Sequence, residues 1–211
     1  MSAPEPFVYR FVSGRVVAGQ NSRRTLLMLH GTGGDENDLL PIGRMLDPDS
    51  AVLSPRGKVL ENGAPRFFRR LREGVFDEED VIRRAHELAD FVAAAVKENG
   101  LDAAQVVAVG YSNGANIASA MMLLRPEILR GAVLFRGQVP LVPEKLLDLS
   151  GKAVFLSSGK FDPIIDAEGA RTLARMLTEA GAAVTHIWQE SGHELSRVDI
   201  DEAREWLARL P

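Results

Sequence analysis

The sequence predicts an α/β fold, a mostly parallel central sheet of about seven strands with helices on both faces. Short, nearly continuous apolar runs alternate with amphipathic ones along the chain. The runs Thr25 to His30 and Gln105 to Gly110 are continuously apolar between polar end residues, as central strands buried on both faces should be. A Gly-Tyr-Ser-Asn-Gly turn follows the second of these and opens a helical segment.

The elements follow in chain order. Phe7 to Ser13 alternates and reads as an edge strand. Thr25 to His30 is the first central strand, and Ala51 to Ser54 is a short strand stopped by Pro55. Gln105 to Gly110, Gly131 to Phe135, Ala153 to Ser157 and Ala183 to Trp188 complete the sheet. Between them, Asp77 to Lys97 carries Val81, Ala85, Leu88, Ala89, Val92 and Val96 on one face, with Asp77 and Asp80 placed to cap it. Asn113 to Leu124 is a helix directly after a strand. Asp166 to Ala180 ends at Gly181, and Asp199 to Leu210 closes the chain. Pro55 to Phe76 is the least regular stretch, with the cluster Arg66, Phe67, Phe68, Arg69, Arg70 and Arg72. It reads either as a surface connection with solvated arginines or as a functional loop.

Composition bounds the function. The 211 residues are 45% apolar, enough for one sizeable core, and a single domain spanning residues 1–211 is expected. A net charge of −4 argues against a nucleic-acid partner, since phosphate binding calls for a positive surface. The chain has no cysteine, which excludes disulfides, cysteine-ligated metals and a cysteine nucleophile. No signal peptide is read in Met1 to Tyr9, and no apolar run approaches a membrane span. The expectations are a cytoplasmic location and no stable membrane insertion.

The chemistry centres on Gly110-Tyr111-Ser112-Asn113-Gly114. It has the pattern G-x-S-x-G in the strand–turn–helix setting of a nucleophile elbow. A pentapeptide of this kind arises by chance in roughly one chain in ten of this glycine content, so the context carries the argument. The bland reading is a serine that merely caps a helix. As a nucleophile Ser112 needs a base. The chain has four histidines. His30 ends a strand, His86 lies within a helix and His186 within a strand. His193 alone sits in a glycine-containing loop after the last strand, where sites form in α/β sheets. An acid to orient it should fall between serine and histidine, after a strand, and Asp162 does. Asp166 competes but reads better as a helix N-cap. The loop His30-Gly31-Thr32-Gly33-Gly34 leaves the first central strand. It lacks the spacing and lysine of a phosphate cradle. The backbone N–H groups of Thr32 and Asn113 are the expected oxyanion donors.

With these residues in place the sequence resembles the phospholipase/carboxylesterase family. The carriers are L-H-G-T-G-G-D-E-N-D-L (Leu29 to Leu39), S-P-R-G (Ser54 to Gly57), P-R-F-F-R-R (Pro65 to Arg70), G-Y-S-N-G-A-N (Gly110 to Asn116), G-K-F-D-P-I (Gly159 to Ile164) and S-G-H-E (Ser191 to Glu194). The resemblance implies an α/β-hydrolase fold without a large lid domain and a Ser112–Asp162–His193 triad. It implies no cofactor and no metal, a small-molecule ester as substrate, and is compatible with a homodimer. Phe67-Phe68 stands where related thioesterases carry a tryptophan-containing segment, which places the chain nearer the bacterial carboxylesterases. Phe67, Phe68, Arg69 and Val139 are the expected substrate contacts, with Arg70 and Leu141 as further pocket candidates.

Overall fold

The computed structural model describes residues 6–15 and 24–210. The amino-terminal reading over Met1 to Tyr9 and the outer bounds of the domain lie partly outside these residues.

A seven-stranded sheet forms the centre, in the order β1 (Tyr9–Val12), β3 (Ala51–Pro55), β2 (Thr25–Leu29), β8 (Val106–Tyr111), β9 (Gly131–Phe135), β10 (Ala153–Gly159) and β11 (Ala183–Gln189). Only β1 runs antiparallel, pairing with β3 from Tyr9↔Pro55 to Val12↔Val52. The other neighbours are parallel. Every residue of β2, β3 and β9 is buried, which accounts for their mostly apolar sequence.

Helices α2 (Glu78–Glu98), α3 (Asn113–Leu124) and α4 (Ala167–Glu179) cover one face, and α1 (Leu40–Leu46) and α5 (Arg197–Arg209) the other. Side chains alternate along each strand accordingly. Leu27, Leu29 and Ala108 join the core under α2 and α3, while Leu26, Met28, Val107 and Val109 join the core under α5 with Ile200, Ala203 and Leu207. On α2 the predicted stripe is buried, and each Val or Leu in it contributes about 1.5–3 kcal/mol of burial. Asp77 caps that helix by accepting the Asp80 N–H at 3.1 Å. The fourth helix starts after Asp166, whose side chain makes no capping bond. The last starts two residues before Asp199, at a capping box of Ser196 and Asp199.

Two parts differ from the sequence reading. Helix α1 was not expected, because Pro41 and Gly43 break a seven-residue helical pattern; Pro41 is tolerated in the first turn, where no intrahelical donor is needed. The segment from Pro55 to Phe76 is not irregular. It folds as two small hairpins, β4 (Val59–Glu61) with β5 (Ala64–Arg66), and β6 (Arg70–Arg72) with β7 (Val75–Phe76). The turns use Asn62 and Gly63 at positive φ in the first hairpin and Gly74 in the second. Both hairpins are appended at the carboxyl-terminal end of the sheet, beside the glycine loop after β2.

Candidate active site

The elbow between β8 and α3 is built by close approach of backbones. A Cβ at Gly114 would overlap the Leu29 carbonyl of the neighbouring strand, and one at Gly110 would overlap the Gly114 carbonyl. Ser112 sits at φ 52°, ψ −113°, a strained region for a side-chain-bearing residue, costing on the order of 1–3 kcal/mol. Its N–H is fixed by the Phe135 carbonyl at 2.9 Å, and its own carbonyl accepts the Asn116 N–H at 3.0 Å. The hydroxyl is thereby held above the end of the sheet.

His193 reaches it from the loop after β11. The Nε2 atom lies 3.0 Å from Ser112 Oγ, and Nδ1 lies 2.8 Å from Asp162 Oδ2. Asp162 comes from the loop after β10, and its carboxylate is nearly sealed from solvent at 2% exposure. Its other oxygen accepts the N–H groups of Ile164 and Ile165 at 2.8 and 3.0 Å. An acid that accepts on both oxygens keeps a fixed orientation toward the imidazole. Serine, histidine and acid thus stand in one chain of hydrogen bonds.

The glycine loop after β2 faces this chain. The Thr32 N–H makes no hydrogen bond among the described residues. Asn113 is the first residue of α3, so its N–H has no intrahelical acceptor. Both donors are free to bind an oxygen of a ligand. The loop is braced from the first hairpin, where Arg66 Nη1 donates to Thr32 Oγ1 at 2.6 Å and Gly33 N–H donates to the Pro65 carbonyl at 2.9 Å. His30 is a structural residue. Its Nε2 accepts the Gly57 N–H at 2.9 Å, and Nδ1 contacts the Gly31 carbonyl at 2.7 Å. That pattern defines the Nδ1–H tautomer. Burial pushes its pKa below the ordinary value despite the opposing Gly31 bond.

Three groups that the sequence reading missed hold the Ser112–His193–Asp162 hydrogen-bond chain in place. The Tyr111 hydroxyl donates to the His193 carbonyl at 3.1 Å, with the two rings 5.4 Å apart. Arg136, fully buried at the end of β9 and held at φ 56°, donates to the Gly192 carbonyl at 3.0 Å, the Glu194 carbonyl at 2.9 Å and Ser191 Oγ at 3.0 Å. It therefore clamps the loop on both sides of His193. The same guanidinium forms a two-pronged pair with Asp199 at 2.8 and 2.9 Å. Burial alone would raise the Asp199 carboxyl, but bonds from Arg136, Ser157 and Ser196 outweigh it and hold it below the usual range. The available sequence signal was a charged residue flush against an apolar strand.

The expected substrate contacts need correction. A cavity of about 280 Å³ opens beside Ser112, and none of Phe67, Phe68, Arg69 and Val139 lines it. Phe67 and Phe68 are core residues, Phe67 packing at a tilt on His30 and Phe68 edge to face with Phe76. Arg69 turns outward to Asp77 and Asp80. Val139 packs against the core, where Leu141 is buried too. Phe67, Phe68 and Arg69 lie in the link between the two hairpins, where both phenylalanines turn into the core, and Arg66, Arg70 and Phe76 reach the cavity from the flanking strands. Gln138, Ile164 and Ile165 complete its wall with the site residues.

A seven-stranded, mostly parallel sheet with a serine elbow, a histidine in the last loop and an acid between them defines an α/β-hydrolase. Residues 14–210 match the model of the phospholipase/carboxylesterase family, and the chain belongs to that family. It is 47% identical over 185 residues to the putative hydrolase MhqD of Bacillus subtilis, covering 88% of this chain and 92% of that one. Among solved structures, a Bacillus cereus carboxylesterase superposes with a TM-score of 0.92 at 44% identity, covering 97% of this chain and 95% of the other. YahD, solved with malic acid, superposes at 0.89 with 31% identity, covering 97% of this chain and all of the other. The chain is an ester hydrolase of this family. Among the described residues, no helix is long and apolar enough to cross a membrane.

Proposed function

We propose that the protein is a serine carboxylesterase that cleaves small carboxylic esters through an acyl-enzyme on Ser112. The observation that carries the reading is the continuous chain Ser112 Oγ–His193–Asp162, at 3.0 and 2.8 Å, opposite two unpaired N–H groups. His193 takes the Ser112 proton as the hydroxyl oxygen attacks the carbonyl carbon. The carbonyl oxygen becomes an oxyanion and is received by the Thr32 and Asn113 N–H groups, donors already in place before charge develops. Asp162 stabilises the imidazolium. His193 then protonates the leaving alcohol as its bond to the acyl carbon breaks. Water attacks the acyl-enzyme by the same route, releasing the acid and restoring Ser112.

The small cavity favours short esters, and a relative solved with a small acid is in keeping with this. Thioesters and lysophospholipid-like esters are secondary substrates, since the acyl-enzyme is common to all.

Ser112→Ala should abolish turnover of p-nitrophenyl acetate and covalent labelling by a fluorophosphonate probe, while the far-ultraviolet circular dichroism stays unchanged. Labelling and turnover that persist in Ser112→Ala overturn the assignment. A non-catalytic protein on the same fold would show neither in the wild type.

A further inference from the structure

Two arginines stand in the wall of the cavity that holds Ser112. Arg66 is almost wholly buried and Arg70 partly so, and both line the cavity with Ser112 and His193. One carboxylate, Glu61, serves both guanidiniums, at 3.2 Å from Arg66 Nε and 2.9 Å from Arg70 Nε. Two cations less one anion leave this cluster with a surplus positive charge. Its donors are not used up. Arg66 Nη2 and both terminal nitrogens of Arg70 make no hydrogen bond among the described residues. The other acid of the wall, Glu73, is exposed at the β6–β7 turn, where water screens it. Asp162 is committed to His193.

A buried guanidinium with free planar donors matches a carboxylate far better than an acyl chain. The alternative role for Arg66, bracing Thr32, uses one of its terminal nitrogens and leaves the other. Bracing also places the charge next to the oxyanion loop, so a bound anion would lie within a short chain of the reacting carbonyl. Asn116 adds a further donor, for its Oδ1 is taken by the Gln138 N–H at 2.9 Å and its Nδ2 has no partner among the described residues.

We propose that Arg66 and Arg70 form a carboxylate-binding subsite, so that the preferred substrate is a short ester carrying a free carboxylate on its acyl or its alcohol part. The inference rests on the Ser112 reading and adds the substrate class to it. Binding a remote anion positions the reacting carbonyl, so it is expressed in kcat/KM.

Matched ester pairs test this. Monoethyl succinate against ethyl butyrate places the carboxylate on the acyl side. 4-Acetoxybenzoate against its methyl ester places it on the alcohol side. After normalisation to hydroxide-catalysed rates, kcat/KM of at least one anionic member should exceed that of its neutral partner by roughly tenfold at low ionic strength. The excess should shrink with added salt. Arg70→Gln should bring the ratio close to one, and Arg70→Lys should keep part of it. Equal values in both wild-type pairs overturn the inference, as does a ratio that survives Arg70→Gln. In either case turnover of the neutral esters leaves the Ser112 reading standing. Failure to cleave any of the four, with no fluorophosphonate labelling, removes both.

Discussion

Replacing Arg136 by Met tests how the catalytic loop is held. The guanidinium is fully buried and donates to Asp199, Ser157, Ser191, Gly192 and Glu194. Methionine fills much of the volume but supplies no donor. Asp199 would keep only Ser157 and Ser196 as partners, and the loop would lose its anchors on both sides of His193. Breaking a buried ion pair from one side costs about 3–5 kcal/mol. That is a large part of the roughly 5–15 kcal/mol that holds such a domain together. At about 2–4 °C per kcal/mol for a chain of this size, the melting temperature should fall by about 6–20 °C. Acid sensitivity should change as well. The native Asp199 pKa lies below its unfolded value, so its contribution is present above that value and lost as pH falls through the native pKa. Without Arg136, burial is less opposed, and the acid loss should move to higher pH. Urea titrations at pH 7 and pH 5 give the stability, and ester hydrolysis gives kcat, which should fall more than KM rises. A change below about 1 kcal/mol with kcat intact would refute the clamp.

Other perturbations give equally direct outcomes. Asp162→Asn should lower kcat by roughly 10⁴ while the fold persists, because an amide supports the wrong imidazole tautomer; steady-state kinetics beside circular dichroism checks it. Gly114→Ala drives a methyl group into the Leu29 backbone and should cost 3 kcal/mol or more, about the upper end for overpacking, read as a lower urea midpoint or loss of soluble protein. His30 is held neutral by burial, so its contribution is complete above its unfolded value of 6.5 and is lost as pH falls toward the lower native pKa. Stability should therefore decline from pH 7 to pH 5.5, and His30→Gln should flatten that slope in urea titrations.

The sheet and the grouping of Ser112, Asp162 and His193 were legible for different reasons. Strands β2, β8 and β9 are buried on both faces over almost their whole length, so their sequences had to be mostly apolar and their limits could be read within a residue or two. Ser112, Asp162 and His193 follow strand ends in the order this topology demands, and the structure brings them together. The pocket was not legible in the same way. Which of Arg69 and Arg70 faces Ser112 depends on where a strand of only three residues begins, since Arg69 lies in the link before β6 and Arg70 opens it. The clamp was hidden for another reason. Arg136 meets Asp199 across 63 positions of chain, and no local pattern announces a pair that only the sheet brings together.

The elbow and the pocket also differ in how firmly they are set. Helix α3 is buried from Asn113 through Leu123, so the strained Ser112 cannot relax unless much of the core opens with it. Amide hydrogens along α3 should exchange at the rate of global unfolding. The hairpins between Val59 and Phe76 put Leu60, Leu71 and Glu73 into solvent and should exchange far faster. Ser112 then belongs to the slowest-opening unit of the molecule and the hairpin side of the cavity to one of the fastest. Selection can rework recognition in those hairpins without disturbing the geometry of attack.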